Sequence, residues 1–349
     1  MEVETKPPRA LEMLAQTAGT SVAELVKTVD VYPFALTPFL RQRIEEGTYS
    51  LAALRQFLPD AQELQDTAGF SSDPAGESKK HPLPAILQAY ENRLVILLSY
   101  QCLVYCRFCV RKSLVGMPEY SITNDQLEQA LAFVRAHPEI EDVVLSGGDP
   151  LAVPNRRLLP FLHKLMAIPH VKVIRIDSRA LSTMPKRIDD ELLDVLKTDD
   201  RFWYHAHMNH PDDLHHPDVL AAAQRLRMAG VPVLNQSVIL AGVNDDPAVM
   251  AQLMRDCYYH KILPYNLYVL DRVKGAAHFE VTEERIVEIC ETLSHLPGPA
   301  QPVLIFVDRE SRKHRAIYDS AADLRVFLRA RNSSTMPVEA RQAVMSAGR

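Results

Sequence analysis

Arg93-Leu-Val-Ile-Leu-Leu-Ser99 runs straight into Tyr100-Gln-Cys-Leu-Val-Tyr-Cys-Arg-Phe-Cys109, and this junction decides how the chain is read. The first part is a short apolar run with β-branched Val95 and Ile96, which predicts a strand near 93–98. The second part hangs Cys102, Cys106 and Cys109 on whatever follows that strand. Working outward, similar runs recur near 141–146, 171–176, 202–207, 232–239 and 263–269. Segments of helical period lie between them, near 124–136, 155–167, 187–197, 217–229 and 247–258, with another near 282–295. In the first of these Leu127, Leu131 and Val134 share one face behind Thr123 as cap. Six β/α units in succession predict an α/β fold: a parallel sheet with right-handed crossovers, curled into an incomplete (β/α)6 barrel. Ligands then belong at the C-terminal ends of the strands, which puts the three thiols at the mouth.

The flanks differ. Residues 1–92 read as a helical, proline-punctuated N-terminal extension, with a helix expected over Pro38 to Glu46 behind Thr37. Residues 93–280 are the partial barrel. Residues 281–349 are a C-terminal segment expected to close the site, with a strand at 303–307, a helix near 319–331 and a loose tail. A chain of 349 residues can bury a large core, and 47% hydrophobic with 24% charged residues is ordinary for a globular protein. A net charge of −5 gives no reason to expect nucleic acid or an anionic membrane as partner. No run of about 18 apolar residues predicts a membrane span, and Met1 to Leu25 does not read as a signal peptide. Five cysteines, three of them within eight residues, fit a reducing compartment, so cytoplasm is the expectation.

Spacings of three and then two residues let one loop reach three irons of a cubane. A [4Fe–4S] cluster used for electron transfer takes four cysteines; three leave one iron open to a ligand. A structural zinc site would want four protein ligands, a histidine supplying the last. Three buried structural cysteines are the bland alternative, and the one that fits Cys257 and Cys290, each inside a helical pattern.

The C-x3-C-x2-C loop resembles that of the radical S-adenosylmethionine (SAM) superfamily. From about Phe70 to Asp308 the chain is further similar to the lysine 2,3-aminomutase family, nearest the branch that makes (R)-β-lysine for elongation factor P. The stretches that carry this are Gly69-Phe-Ser-Ser-Asp-Pro74, Tyr90-Glu-Asn-Arg93, Leu145-Ser-Gly-Gly-Asp-Pro-Leu151, Arg175-Ile-Asp-Ser-Arg179, His207-Met-Asn-His-Pro211, Asn235-Gln-Ser-Val238, Val243-Asn-Asp245 and Leu270-Asp-Arg-Val-Lys-Gly-Ala-Ala-His-Phe279. The resemblance implies a [4Fe–4S] cluster on Cys102, Cys106 and Cys109, whose open iron binds SAM and cleaves it to a 5′-deoxyadenosyl radical. It implies SAM contacts from Gly147, Gly148, Asp149, Ser178, Arg179, His207 and Gln236, with His210 also hydrogen-bonding around SAM. For a free amino acid substrate, lysine or similar, it implies Arg111 on the carboxylate, Asp271 on the side-chain ammonium with Asp308 as a second acid, a position that alignment on Pro302 gives to Val307 instead, and Tyr268 lining the pocket. A reductant such as flavodoxin or ferredoxin follows as partner, and a homo-oligomer is allowed. His205, His215 and His216 stand near His207 without a pattern that argues for a second metal.

The resemblance breaks at one place. Family aminomutases hold pyridoxal phosphate (PLP) on a lysine in a glycine-rich stretch after the last barrel strand. Here Val307-Asp-Arg-Glu-Ser-Arg-Lys-His-Arg315 has no glycine, the lysine position falls on His314 or Arg315, and Lys313 comes one or two residues early. Tyr90 and Arg93 match the PLP-phosphate contacts, but Ala89 replaces a basic residue. Either Lys313 takes PLP from a shifted loop and the protein is an isomerase of the aminomutase type, or PLP is lost and the radical drives dehydrogenation, epimerisation or cleavage of an amino acid. A non-catalytic SAM-binding iron–sulfur protein is a third reading, which leaves Arg111 and Asp271 without a task. The first is the expectation carried forward.

Overall fold

The computed structural model describes residues 8–117, 119–307, 313–315 and 321–330. Its sheet begins with β1 (Ile86–Tyr90), antiparallel to β2 (Arg93–Ser99). From β2 the strands follow one another in parallel and in chain order: β3 (Asp142–Gly147), β4 (Val173–Ser178), β5 (Phe202–His207), β6 (Val233–Ile239), β7 (Leu263–Val269) and β8 (Val303–Val307). The short β9 (Lys313–Arg315) returns antiparallel along β8. No pairing joins β1 to β9 among the described residues, so the barrel stays open on that side.

Helices fill the crossovers for the reasons the periodicity suggests. The Thr123 hydroxyl accepts the Gln126 N–H at 3.2 Å while the Gln126 side chain accepts the Thr123 N–H at 2.8 Å, which fixes the start of the helix Asn124–Ala136. Leu127, Leu131 and Val134 on that helix meet the outward residues Leu94, Ile96 and Leu98 of β2 in one large core. Alternate strand residues therefore face the concave interior, among them Arg175 and Asp177 on β4 and Trp203, His205 and His207 on β5. Cys257 and Cys290 sit in the same outer core, as their helical settings suggest.

The sheet exceeds the expected six parallel strands by one. The run 303–307 does not merely belong to a closing segment; it docks beside β7 in register, Asn266 against Val303 and Tyr268 against Ile305. The helix Glu283–Ser294 makes this a further crossover of the same kind. β1 lies inside the stretch read as the N-terminal extension, yet it pairs with the barrel. The helices Pro8–Ala18, Val22–Val29 and Pro38–Glu45 build a smaller core of their own, with Leu14, Leu25, Leu40 and Phe57. Among the described residues no helix is long and apolar enough to cross a membrane.

Candidate active site

The cysteine loop leaves the end of β2, and the apolar residues between its thiols are driven into different neighbourhoods. Leu103 enters the barrel's outer core, and Val104 joins the N-terminal helical core. Tyr105 packs with Tyr32, Ala35 and Val115, while Phe108 packs with Leu240, Leu270 and Phe279. The loop is thus held from all sides by burial, with Cys102, Cys106 and Cys109 half-buried beside these clusters.

Arg107 takes a sharper hold. Its Nε and Nη2 donate to both oxygens of Glu63, at 2.8 and 2.6 Å, and its Nη1 donates to the Pro33 carbonyl at 2.8 Å. Lys112 Nζ donates to the same Glu63 oxygen at 2.8 Å, to the Arg107 carbonyl at 2.9 Å and to the Gly275 carbonyl at 2.8 Å. All three side chains are fully buried. Burial pulls the Lys112 pKa down to about 8 in spite of Glu63. Burial works against ionised Glu63 as well, but its two cations hold its pKa below the usual value.

At the rim, Arg179 Nη1 lies 2.9 Å from Cys106 Sγ, with the guanidinium over Phe57 and beside Phe108. Its Nη2 donates to Gln56. Burial pushes the Cys102 thiol well above its ordinary value, and burial together with Cys106 pushes Cys109 to about 11. Among the described residues no three His, Cys, Asp or Glu side chains converge closely enough to hold one metal ion. In a cubane each thiolate binds its own iron, so its three protein ligands need not converge on one point.

The glycines after β3 have a specific cause. A Cβ on Gly148 would stand 2.3 Å from the Gln101 carbonyl oxygen, and one on Gly147, at φ +116°, would stand 2.3 Å from that of Ser99. The backbone of the cysteine loop fills the space their missing side chains leave. Asp149 then buckles two strand ends, accepting from Ser178 Oγ at 2.7 Å, from Arg179 N–H at 2.9 Å and from Leu151 N–H at 2.8 Å. His207, against Phe108, keeps a buried Nε2 with no hydrogen-bond partner among the described residues. Burial, with Arg179 nearby, lowers its pKa to about 3, so the ring is neutral. Gln236 is half-buried on β6. His210 is used differently: its Nδ1 accepts the Asp212 N–H at 3.1 Å as a helix cap.

Arg111 is already engaged on one edge. Its Nε and Nη2 grip Glu77 at 2.6 and 2.7 Å, and its Nη1 donates to the Gly147 carbonyl at 3.0 Å. Across the mouth, Lys313 on β9 brings its Nζ to 3.4 Å from Tyr268 Oη and 5.0 Å from the ring centre. Lys313 is exposed at the surface, but its amine is crowded by protein; that crowding opposes its charge, and Tyr268, Tyr90 and Asp271 outweigh it and raise its pKa. Arg315 Nη2 lies 3.4 Å from Tyr265 Oη. At the other edge of the opening, the Arg93 guanidinium lies over Tyr90 at 5.1 Å and its Nε donates to Asp142 at 2.6 Å. Arg175 donates to the same carboxylate through Nε and Nη2, at 2.9 and 3.0 Å. Two guanidiniums on one carboxylate leave a net positive charge. Asp308 lies outside the described residues.

Sequence reasoning misses Glu77, Glu63 and Arg175. Glu77 and Glu63 carry no signal beyond being acids in an irregular segment, and Arg175 lies in a matching stretch with no role attached to it.

Residues 96–254 match the radical SAM superfamily. The chain is 36% identical to the L-lysine 2,3-aminomutase of Haemophilus influenzae, over 74% of this chain and 76% of that protein. It is 34% identical to that of Fusobacterium nucleatum, over 80% of this chain and 66% of that protein, and so spans just under two thirds of the latter's length. The chain belongs to the lysine 2,3-aminomutase family. A solved structure of Streptococcus suis SuiB bound to S-adenosylmethionine is also similar, at 15% identity and a TM-score of 0.47, over 63% of this chain and 49% of that one.

A radical SAM enzyme of this family uses a [4Fe–4S] cluster and SAM, and the residues present fit both. Cys102, Cys106 and Cys109 would supply the cluster's protein ligands, and the orphaned His207 Nε2 leaves hydrogen-bonding capacity for a ligand beside Phe108. PLP would find an amine in Lys313, a ring neighbour in Tyr90, and spare guanidinium N–H groups on Arg93 and Arg175.

Proposed function

We propose that the protein is a radical SAM aminomutase that moves an amino group between adjacent carbons of a free amino acid, lysine or a close relative, to give a β-amino acid. The observation that carries this reading is Lys313. Despite a loop without glycine, its amine stands against Tyr268, in electrostatic reach of Tyr90 and Asp271. When bound, the cluster and SAM supply a 5′-deoxyadenosyl radical that abstracts hydrogen, and PLP supplies a π-system that stabilises the radical while nitrogen migrates. The chain's own part is positioning. Arg111 holds the substrate carboxylate, Asp271 takes its far ammonium, with Asp308, outside the described residues, as the second acid of this role, and Tyr268 walls the pocket. Neutral His207 offers hydrogen bonds to SAM without adding charge. Arg93 and Arg175, with Tyr90, hold the PLP phosphate. A flavodoxin- or ferredoxin-type reductant in the cytoplasm completes the scheme.

The test adds PLP to the apoprotein, traps it with borohydride and maps the modified lysine by mass spectrometry. The expected result is stoichiometric label on Lys313, lost in Lys313→Ala together with β-amino acid formation. Because the Lys313 pKa is raised, the amine is protonated near neutrality and labelling should increase with pH. A second reading, hydrogen abstraction without PLP, is favoured by the Asp142 carboxylate that already occupies Arg93 and Arg175. It gains if no label forms while an amino acid still accelerates SAM cleavage.

A further inference from the structure

Arg111 meets an acid before any substrate arrives, and the geometry of that meeting is informative. A guanidinium has five N–H donors in a planar fork. Glu77 takes the Nε edge with two bonds, at 2.6 and 2.7 Å, and the Gly147 carbonyl takes one hydrogen of Nη1 at 3.0 Å. One N–H is left on each terminal nitrogen, which is what a second carboxylate needs for a paired contact. Glu77 does not reach in from a loose strand. The Asp73 carboxylate accepts the N–H groups of Glu77 and Ser78 at 2.7 and 3.1 Å. Ser71, a few residues earlier, exchanges backbone bonds of 2.9 Å with Arg272 and Lys274, on the loop that follows Asp271. One segment therefore links the residue that grips Arg111 to the loop that bears the acid at the opposite pole.

We infer that Glu77 is a positioning residue: it fixes the plane of Arg111 so that the two remaining N–H groups present themselves to the amino acid's carboxylate. This rests on the reading of Arg111 as the carboxylate clamp. Glu77 is mostly buried, as is Arg111, so the pair is poorly screened and its orientation is well defined. In Glu77→Gln the side chain keeps its size but has one acceptor oxygen in place of two, so Arg111 loses one tether and gains rotational freedom.

The experiment measures amino-acid-dependent 5′-deoxyadenosine formation in reconstituted wild type, Glu77→Gln and Glu77→Asp. The expected result is a KM for the amino acid raised about tenfold or more in Glu77→Gln, following the loss of a charge-assisted bond, with kcat changed less and partial rescue in Glu77→Asp. A KM equal to or below that of wild type overturns the inference, because Glu77 would then be a bystander or a competitor for the clamp. A second readout does not depend on turnover: the Arg111 Nε–H proton resonance should be shifted downfield in wild type and move upfield in Glu77→Gln. If that resonance does not respond, the positioning role fails. If it responds but no amino acid accelerates SAM cleavage in wild type, the clamp reading fails instead.

Discussion

Glu63→Gln should uncouple the cysteine loop from its anchors. The substitution keeps the shape of the side chain and removes the one negative charge between two buried cations. Arg107 Nη2 and Lys112 Nζ approach the same Glu63 oxygen at 2.6 and 2.8 Å, so the cations themselves stand on the order of 4 Å apart. At an effective dielectric near 20, their uncompensated repulsion is about 4 kcal/mol. That agrees with the roughly 3–5 kcal/mol typical of removing one partner from a buried ion pair. The structure also says how the variant would relieve itself. Lys112 already has its pKa lowered to about 8, against an ordinary 10.5, and losing Glu63 lowers it further. The unfolded chain then binds one more proton than the folded chain between those values, so the variant's stability should rise as pH rises through the window. Urea denaturation of the apoprotein at pH 7 and pH 9 measures both effects, and iron content after reconstitution reports whether the loop still assembles a cluster. A loss of under about 1 kcal/mol at pH 7 with full iron loading would refute the reasoning.

Cys109→Ala should abolish the four-iron EPR signal and its change on adding SAM, since a cubane held by two thiolates lacks a protein ligand on a second iron; a normal cluster in a variant lacking all three loop thiols would remove the assignment. Gly148→Ala should lower both stability and cluster content, because the new methyl would lie 2.3 Å from the Gln101 oxygen and must push the cysteine loop outward; an unchanged melting temperature and iron content would show that the loop can yield.

Much of the fold was legible because it is periodic. Val95 and Ile96 on β2, and Leu127, Leu131 and Val134 on the helix that follows, advertise a strand and an amphipathic helix through local spacing alone. The cysteine loop was legible for a related reason: its three thiols lie within eight residues directly after β2, so their spacing can be read from contiguous sequence. β9 was not, since Lys313-His-Arg315 has no strand character of its own and becomes a strand only by pairing with β8.

What the sequence by itself determined is the succession of β/α units, the thiol triplet at the end of its first strand, and the residue types that a SAM-dependent site requires. What only the tertiary structure decided is how charge is shared among them. Glu77 on Arg111, Glu63 between Arg107 and Lys112, and Asp142 between Arg93 and Arg175 pair residues 33 to 49 positions apart. The physical reason is that a buried charge must find a partner wherever folding places one, and no local period records which distant acid that will be.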